Sequence, residues 1–536
     1  MLRCGKNPTL PITPSRVSRG RPACQTVGAF HVPTGTVIAM QSHRSPSSPP
    51  GAIPGRPIPR RAVLAGAAAG ALLATAGLPA RAEPREFRLR VAPATAQLVP
   101  APHPGTAVWA FNGSVPGPEI RVRQGERLRI AVENALAEAT TVHWHGMRVP
   151  NAMDGVPDLT QRPIAPGETF VYEFDAIDAG TFWYHPHQRG SEQVDRGLAG
   201  ALIVEEPEPP AVDRDVTWVL DDWRLLADAS ISSDFGSMHD AAMMGRIGNS
   251  VTVNGTVPER FSVRAGERIR LRLINAANAR IFGLEFEGHA PRIVALDGQP
   301  VEPHAPAGGR VVLGPAMRAD LVLDMTGAPG ARFRVIDSFY QRGAYRLLEL
   351  AYGDVPLRER APEVELRLPP NPLAEPDVAA AERHSVAFAG GGMAGMMGGG
   401  MMGRGPMGGM MGGMMGRGMQ HAGIWTINGV AATGHVMAPM LTLAEGRSHV
   451  LAMANDSAFH HPIHLHGHSF RVLSRNGVPT RRREWQDTVL MNPRERVDIA
   501  LVADNPGDWM FHCHILEHQA AGMMGVIRVA PDSKKT

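Results

Sequence analysis

Cysteine is scarce in this chain: Cys4, Cys24 and Cys513 are all it has in 536 residues. Two of them precede residue 83, in a stretch that reads as a leader, so Cys513 alone stands in the body of the protein. An exported body with one thiol has no internal disulfide, and a bare thiol is a liability in an oxidising compartment. Carboxylates are missing from residues 1–82, which hold ten Lys/Arg and no Asp or Glu. The formal charge of +3 therefore misleads, because the chain without them carries a net −7. That balance argues against a nucleic-acid partner. Beyond the N-terminus no apolar run reaches the ~20 residues of a bilayer span, so no membrane helix is expected.

What is present begins with that leader. Arg60-Arg61-Ala62-Val63-Leu64 precedes an Ala/Gly/Leu run, and Ala80-Arg81-Ala82 fits a small-x-small cleavage site. The pattern resembles a twin-arginine signal over 1–82, which implies the twin-arginine export machinery as a partner and a mature periplasmic protein from Glu83. Met40 is an alternative start. The remaining length suits about three domains of roughly 150 residues each, and the Gly- and Pro-rich composition suits strands joined by turns.

Three stretches look alike. Phe111-Asn112-Gly113, Val253-Asn254-Gly255 and Ile427-Asn428-Gly429 are each followed by a glycine turn at Gly125, Gly266 or Gly446. An alternating stretch then ends at Asn134, Asn275 or Asn455. Each reads as a tight turn, a second turn and an alternating strand. A domain-sized repeat predicts three homologous all-β domains. With linkers at 204–215 and 352–382 they are 83–207, 208–370 and 371–536.

The repeat also sorts out the metal ligands. Nine and eleven residues after Asn134 stand His143 and His145; the same offsets from Asn455 give His464 and His466. After Asn275 they give Leu284 and Phe286, so the middle domain lacks ligands. Gly180 leads in five residues to His185-Pro186-His187, and Gly507 leads in five to His512-Cys513-His514. His-x-His on a strand turns both rings to one face. Eight histidines from two matching domains would meet and hold several metals. Cys513, His518 and the remaining His461, with Met523 as a weak axial thioether, form the ligand set of a blue-copper electron-transfer site. Structural zinc uses four ligands, and eleven are too many for it.

On these motifs the chain resembles the three-domain multicopper oxidases over roughly 83–531. The resemblance implies three consecutive cupredoxin-like Greek-key β-barrels and four copper ions. It places type 1 copper on His461, Cys513, His518 and Met523, and type 2 copper on His143 and His464. The type 3 pair falls on His145, His185, His187, His466, His512 and His514. Substrate would lose one electron at a time at type 1, and dioxygen would be reduced to water at the other three coppers. Cys513 would carry electrons to its neighbours, and Asp154 matches the family's acidic residue near the cluster. A carboxylate there could relay protons; the alternative is a turn-capping Asp before Gly155. Gln519 replaces a Glu common in bacterial members, which leaves a second carboxylate relay in doubt.

One segment stands apart. Eleven methionines crowd 393–419, most of the rest being glycine: Met393, Met396, Met397, Met401, Met402, Met407, Met410, Met411, Met414, Met415 and Met419. Thioethers select Cu(I). Bacterial copper-efflux cuprous oxidases carry a similar insert in the third domain, here 390–420. Their substrate-copper ligands do not transfer directly; Asp456 and His460 are the available groups, in shifted positions. The expected reductant is Cu(I), with a role in copper tolerance, and the expected state is a monomer. The alternatives are a laccase-like oxidase of phenols, Mn(II) or Fe(II), or a copper-free cell-division scaffold relative.

Overall fold

A computed structural model describes residues 83–392, 423–432, 434 and 438–531. The leader and the Met-rich insert lie outside the described residues. Strands gather into six sheets, which fall into three pairs along the chain. The first pair uses strands between Arg85 and Glu205, the second between Arg214 and Tyr352, the third between Glu382 and Ala530.

Each pair repeats one parallel contact: Arg85–Ala96 with Arg127–Asn134, Arg214–Trp223 with Arg268–Asn275, and Glu382–Gly390 with Ser448–Asn455. Parallel neighbours cannot be joined by hairpins, so the chain crosses between layers. Apolar side chains from both layers fill each interior, for example Val91, Ile130 and Phe182 in the first. The fold is all-β, with cupredoxin-like barrels. No helix of the described residues is long and apolar enough to cross a membrane.

The repeated asparagines explain the repeated geometry. Asn112, Asn254 and Asn428 have φ of 53°, 50° and 51°, each followed by glycine at 78°. Two positive φ values in succession make the turn that suits twisted strands. Each asparagine Oδ1 accepts a backbone N–H from the neighbouring strand: Arg90 at 2.6 Å, Val219 at 2.8 Å and Ala387 at 2.8 Å. The second set works inside the fold. Asn134, Asn275 and Asn455 are buried, and each accepts from the N–H two residues on at 3.0 Å. Their Nδ2 groups donate to carbonyls across the fold, among them Ile164, Leu313 and Asn492.

The middle barrel departs from the expected half-exposed alternation. Arg268–Asn275 is buried along its whole length, although apolar and arginine residues alternate in it. The arginine face is covered because each guanidinium is paired. Arg270 bonds Glu206 at 2.8 and 2.9 Å and Asp320 at 2.7 Å. Arg272 bonds Asp215 at 2.6 and 2.7 Å and Thr181 Oγ1, from the first barrel, at 2.9 Å. Arg270→Met would leave Glu206 and Asp320 charged, buried and short of a partner. Such a break costs about 3–5 kcal/mol. A clear fall in the thermal midpoint is expected, and an unchanged midpoint would contradict the pairing.

Candidate metal centres

The two outer barrels build their histidines the same way. The strand His143–His145 lies against Gly180–His185, pairing His143 with His185. The strand His461–Leu465 lies against Gly507–Cys513, pairing His464 with His512. One more correspondence extends to the odd residue out. His512 Nδ1 sits 2.9 Å from the Cys513 carbonyl, and His185 Nδ1 sits 3.1 Å from the carbonyl of Pro186, which stands in the cysteine's place.

The structure brings all eight of these histidines together in the interior. His143 stacks on His466 with ring centroids 3.9 Å apart, and His145 on His464 at 3.8 Å. His187 and His512 lie 5.2 Å apart, as do His185 and His514. Exchanging the two barrels maps this set of pairs onto itself, so the cluster has a local two-fold character.

Ring nitrogens on the outside of the cluster are held by the protein. His143 Nδ1 bonds the Asp154 carbonyl at 2.8 Å, and His466 Nδ1 bonds the Asp154 carboxylate at 2.9 Å. His464 Nδ1 bonds the Asp487 carbonyl at 2.9 Å. His145 is held by the opposite nitrogen, with Nε2 3.1 Å from Thr488 Oγ1 and 3.2 Å from Asp487 Oδ1. On the inside, His143 Nε2, His145 Nδ1, His185 Nε2 and His464 Nε2 are buried with no hydrogen-bond partner. A buried polar atom left so costs about 1–3 kcal/mol.

Burial, reinforced by neighbouring histidines, holds the pKa of His145, His185, His187, His466 and His514 well below the ordinary value. The rings are therefore neutral and offer lone pairs, the form a metal needs. His187, His466 and His512 place ligand atoms within 4.8 Å of one another, as do His143, His464 and His466. The site fits copper: imidazole donors, buried, with their lone pairs converging.

The second centre lies on the other face of the Cys513 strand. His461 Nδ1 is 3.4 Å from Cys513 Sγ and 3.3 Å from His518 Nδ1. Each ring's far nitrogen is fixed, His461 Nε2 by Ser457 Oγ and His518 Nε2 by the Met243 carbonyl, both at 2.8 Å. That leaves both Nδ1 atoms to face the sulfur. Burial pushes the Cys513 thiol far up, so a thiolate there needs a bound cation. Met523 is buried; its carbonyl accepts from Cys513 N–H at 3.1 Å and its own N–H donates to the His518 carbonyl at 2.9 Å.

Other expected groups fall out differently. The Asp154 carboxylate is fully buried and reaches His466 Nδ1 at 2.9 Å and His143 Nδ1 at 3.2 Å, so it faces the histidines. Asp456 is exposed, and the half-buried His460 has its ring edge-on to Phe339. Beside Gln519, Glu517 supplies a buried carboxylate that accepts from Arg246 N–H at 3.0 Å and Asn278 Nδ2 at 3.1 Å. Every methionine from Met393 to Met419 lies outside the described residues.

The sequence reading missed Arg318, Asp487, Thr488 and Ser457. Arg318 grips Asp487 with two bonds of 2.8 and 2.6 Å and reaches the Thr181 carbonyl at 3.1 Å. It thereby touches all three barrels beside the histidines. Gly146 is glycine for this reason: with φ at 84°, a Cβ there would lie 2.2 Å from Arg318 Nη2. No spacing marked Arg318 and Asp487, which pair across barrels, and Ser457 carries no signal of its own although it bonds His461 within its own barrel.

Comparisons with known proteins agree with this geometry. Multicopper oxidase family models match residues 94–209, 214–342 and 411–533. The chain is 30% identical over 468 residues to multicopper oxidase MmcO of Mycobacterium tuberculosis, covering 80% of this chain and 86% of that protein. It is 26% identical to copper resistance protein A of Escherichia coli, covering 78% and 89%. Among solved structures, the multi-copper oxidase from Pseudomonas thermotolerans superimposes with a TM-score of 0.73 at 35% identity, covering 84% of this chain and all of that one. The chain belongs to the multicopper oxidase family and is a copper oxidoreductase with oxygen as acceptor.

Proposed function

We propose that this oxidase takes electrons from Cu(I), in the service of copper tolerance, and spends them on reducing dioxygen to water. The observation that carries the reading is where the Met-rich tract leaves the described fold. The chain departs after Gly392 and returns at Gly423, on either side of a pairing of Gly390 with Trp425. The Trp425 ring lies 4.3 Å from the His518 ring and 4.9 Å from the His461 ring. The described residues on either side of the eleven-methionine stretch thus flank the Trp425 pairing beside the Cys513 centre. The name of the E. coli relative, copper resistance protein A, supports the same role. The leader pattern supports export to the periplasm through the twin-arginine route.

In this reading His461, Cys513 and His518, with Met523 axial, hold type 1 copper. His143 and His464 hold type 2; His145, His185, His187, His466, His512 and His514 hold the type 3 pair. Four bound coppers would supply single-electron uptake and the four-electron reduction of dioxygen. The protein's part is geometry. Cys513 joins the two centres, because its sulfur faces one and its carbonyl meets the ring of His512 in the other. Asp154 bonds histidines from both outer barrels and is the proposed proton relay.

Asp154→Asn keeps the shape and removes the proton-carrying group. Relays of this kind contribute about 10²–10⁴-fold. A loss of kcat in that range with a changed pH profile is expected at full copper content; an unchanged profile would contradict the relay. The reading as a whole is tested by oxygen uptake with chelated Cu(I) as sole reductant, for the full chain and a deletion of 390–420. Fast uptake that falls on deletion is expected. Poor use of Cu(I), with phenols oxidised equally by both proteins, would favour the laccase reading.

A further inference from the structure

The opening strand of the third barrel, Glu382–Gly390, lies parallel to Ser448–Asn455, with Glu382 beside His449 and His384 beside Leu451. Side chains two apart on a strand share a face, and parallel partners share it too. On that face Val386 and Phe388 enter the core of the barrel, as do Leu451 and Met453 on the neighbouring strand. The inward row is apolar until its outer end, where it changes to Glu382, His384 and His449.

His449 is fully buried, and on its other side the strand Arg496–Val502 sets the core leucine Leu501 beside it. A ring with two nitrogens needs two polar partners in such a place. Its Nε2–H donates to the Ala444 carbonyl at 3.3 Å, which turns the Nδ1 lone pair toward His384. Burial holds the His449 pKa below the ordinary value, so the ring is in the neutral form that a metal needs. The half-buried His384 places Nε2 3.2 Å from that Nδ1. This is long for a hydrogen bond, whose usual length is about 2.9–3.0 Å. Two imidazole nitrogens bound to one tetrahedral ion stand about 3.3 Å apart. Glu382 Oε2 lies 4.0 Å from the same Nδ1, on an exposed side chain that can close on an ion.

We propose that His384, His449 and Glu382 form a binding site for one divalent metal ion, zinc or copper(II), at the rim of the third barrel. Two imidazoles and a carboxylate suit those ions, and the remaining position falls to water. His384 need only carry its proton on Nδ1 for Nε2 to offer a lone pair. The site is separate from both copper centres. His384 stands six residues before Gly390, about 20 Å along the strand from the pairing with Trp425 beside His518. An ion there ties the strand that follows the 352–382 linker to its parallel neighbour, and so staples the barrel that carries Cys513.

The test uses copper-loaded full-length protein and the variants His384→Ala and Glu382→Gln, which leave the buried His449 in place. Each is dialysed against Zn(II) or, in a second arm, Cu(II), and metal per chain and the thermal midpoint are measured. The natural protein is expected to hold one ion beyond its resident copper, with a midpoint raised by a few degrees, because the ion binds only the folded chain. His384→Ala loses that ion and the rise. Glu382→Gln binds it about tenfold or more weakly, since even a supporting residue of a metal site is worth that much. Both variants keep the blue band. The arm with the tighter binding names the ion. Equal uptake by the natural protein and His384→Ala would place the ions elsewhere and overturn the site, as would the absence of a further ion in both arms.

Discussion

Eight imidazoles share one dry space at the meeting of the outer barrels, and the rest of the structure depends on that crowding. Burial holds the pKa of six of the rings below the ordinary value, and hydrogen bonds to carbonyls, carboxylates and a threonine hold one nitrogen each of His143, His145, His464 and His466. The opposite nitrogens of His143, His145, His185 and His464 are then left inside without protein partners. The cost of leaving them bare falls on folding stability. Metal ions relieve that cost. The fold is thus arranged to be incomplete without metal, and the arrangement is duplicated because the two ligand-bearing barrels are copies.

The middle barrel holds no ligand in the two clusters, yet it has two tasks. Leu284 and Phe286 stand where its neighbours have histidines, and both join its core. Its buried arginines make the barrel a clamp. Arg272 reaches Thr181 in the first barrel, and Arg318 reaches both Thr181 and Asp487. Asp487 in turn meets His145 and His464, one ligand from each outer barrel. Its second task is to cover His518, through the Met243 carbonyl.

The two centres were legible in the sequence for a physical reason. Ligands on a strand must recur at spacing two to share a face, and a repeated barrel must place them at the same offset from its turns. Asn134 and Asn455 made that offset visible. Cys513 stood out because residues 83–536 hold no other thiol. The supports were not legible, because they act across barrels: nothing in the spacing ties Arg318 to Asp487, or Met243 to His518. The burial of Arg268–Asn275 on both faces was hidden for a related reason, since arginines at alternate positions read as solvent-facing until their carboxylate partners are known. The sequence marks Asp154 by resemblance alone, and the structure shows its carboxylate facing His143 and His466.

The central claim is that one cysteine joins two copper centres of different kinds. Copper per chain, measured beside the absorption spectrum for the natural protein and for Cys513→Ser, tests it most directly. The account predicts four coppers and a blue band in the natural protein. In the variant it predicts loss of the band and of a single copper, with the eight-histidine cluster still loaded. Retention of the blue band, or loss of all copper together, would contradict it.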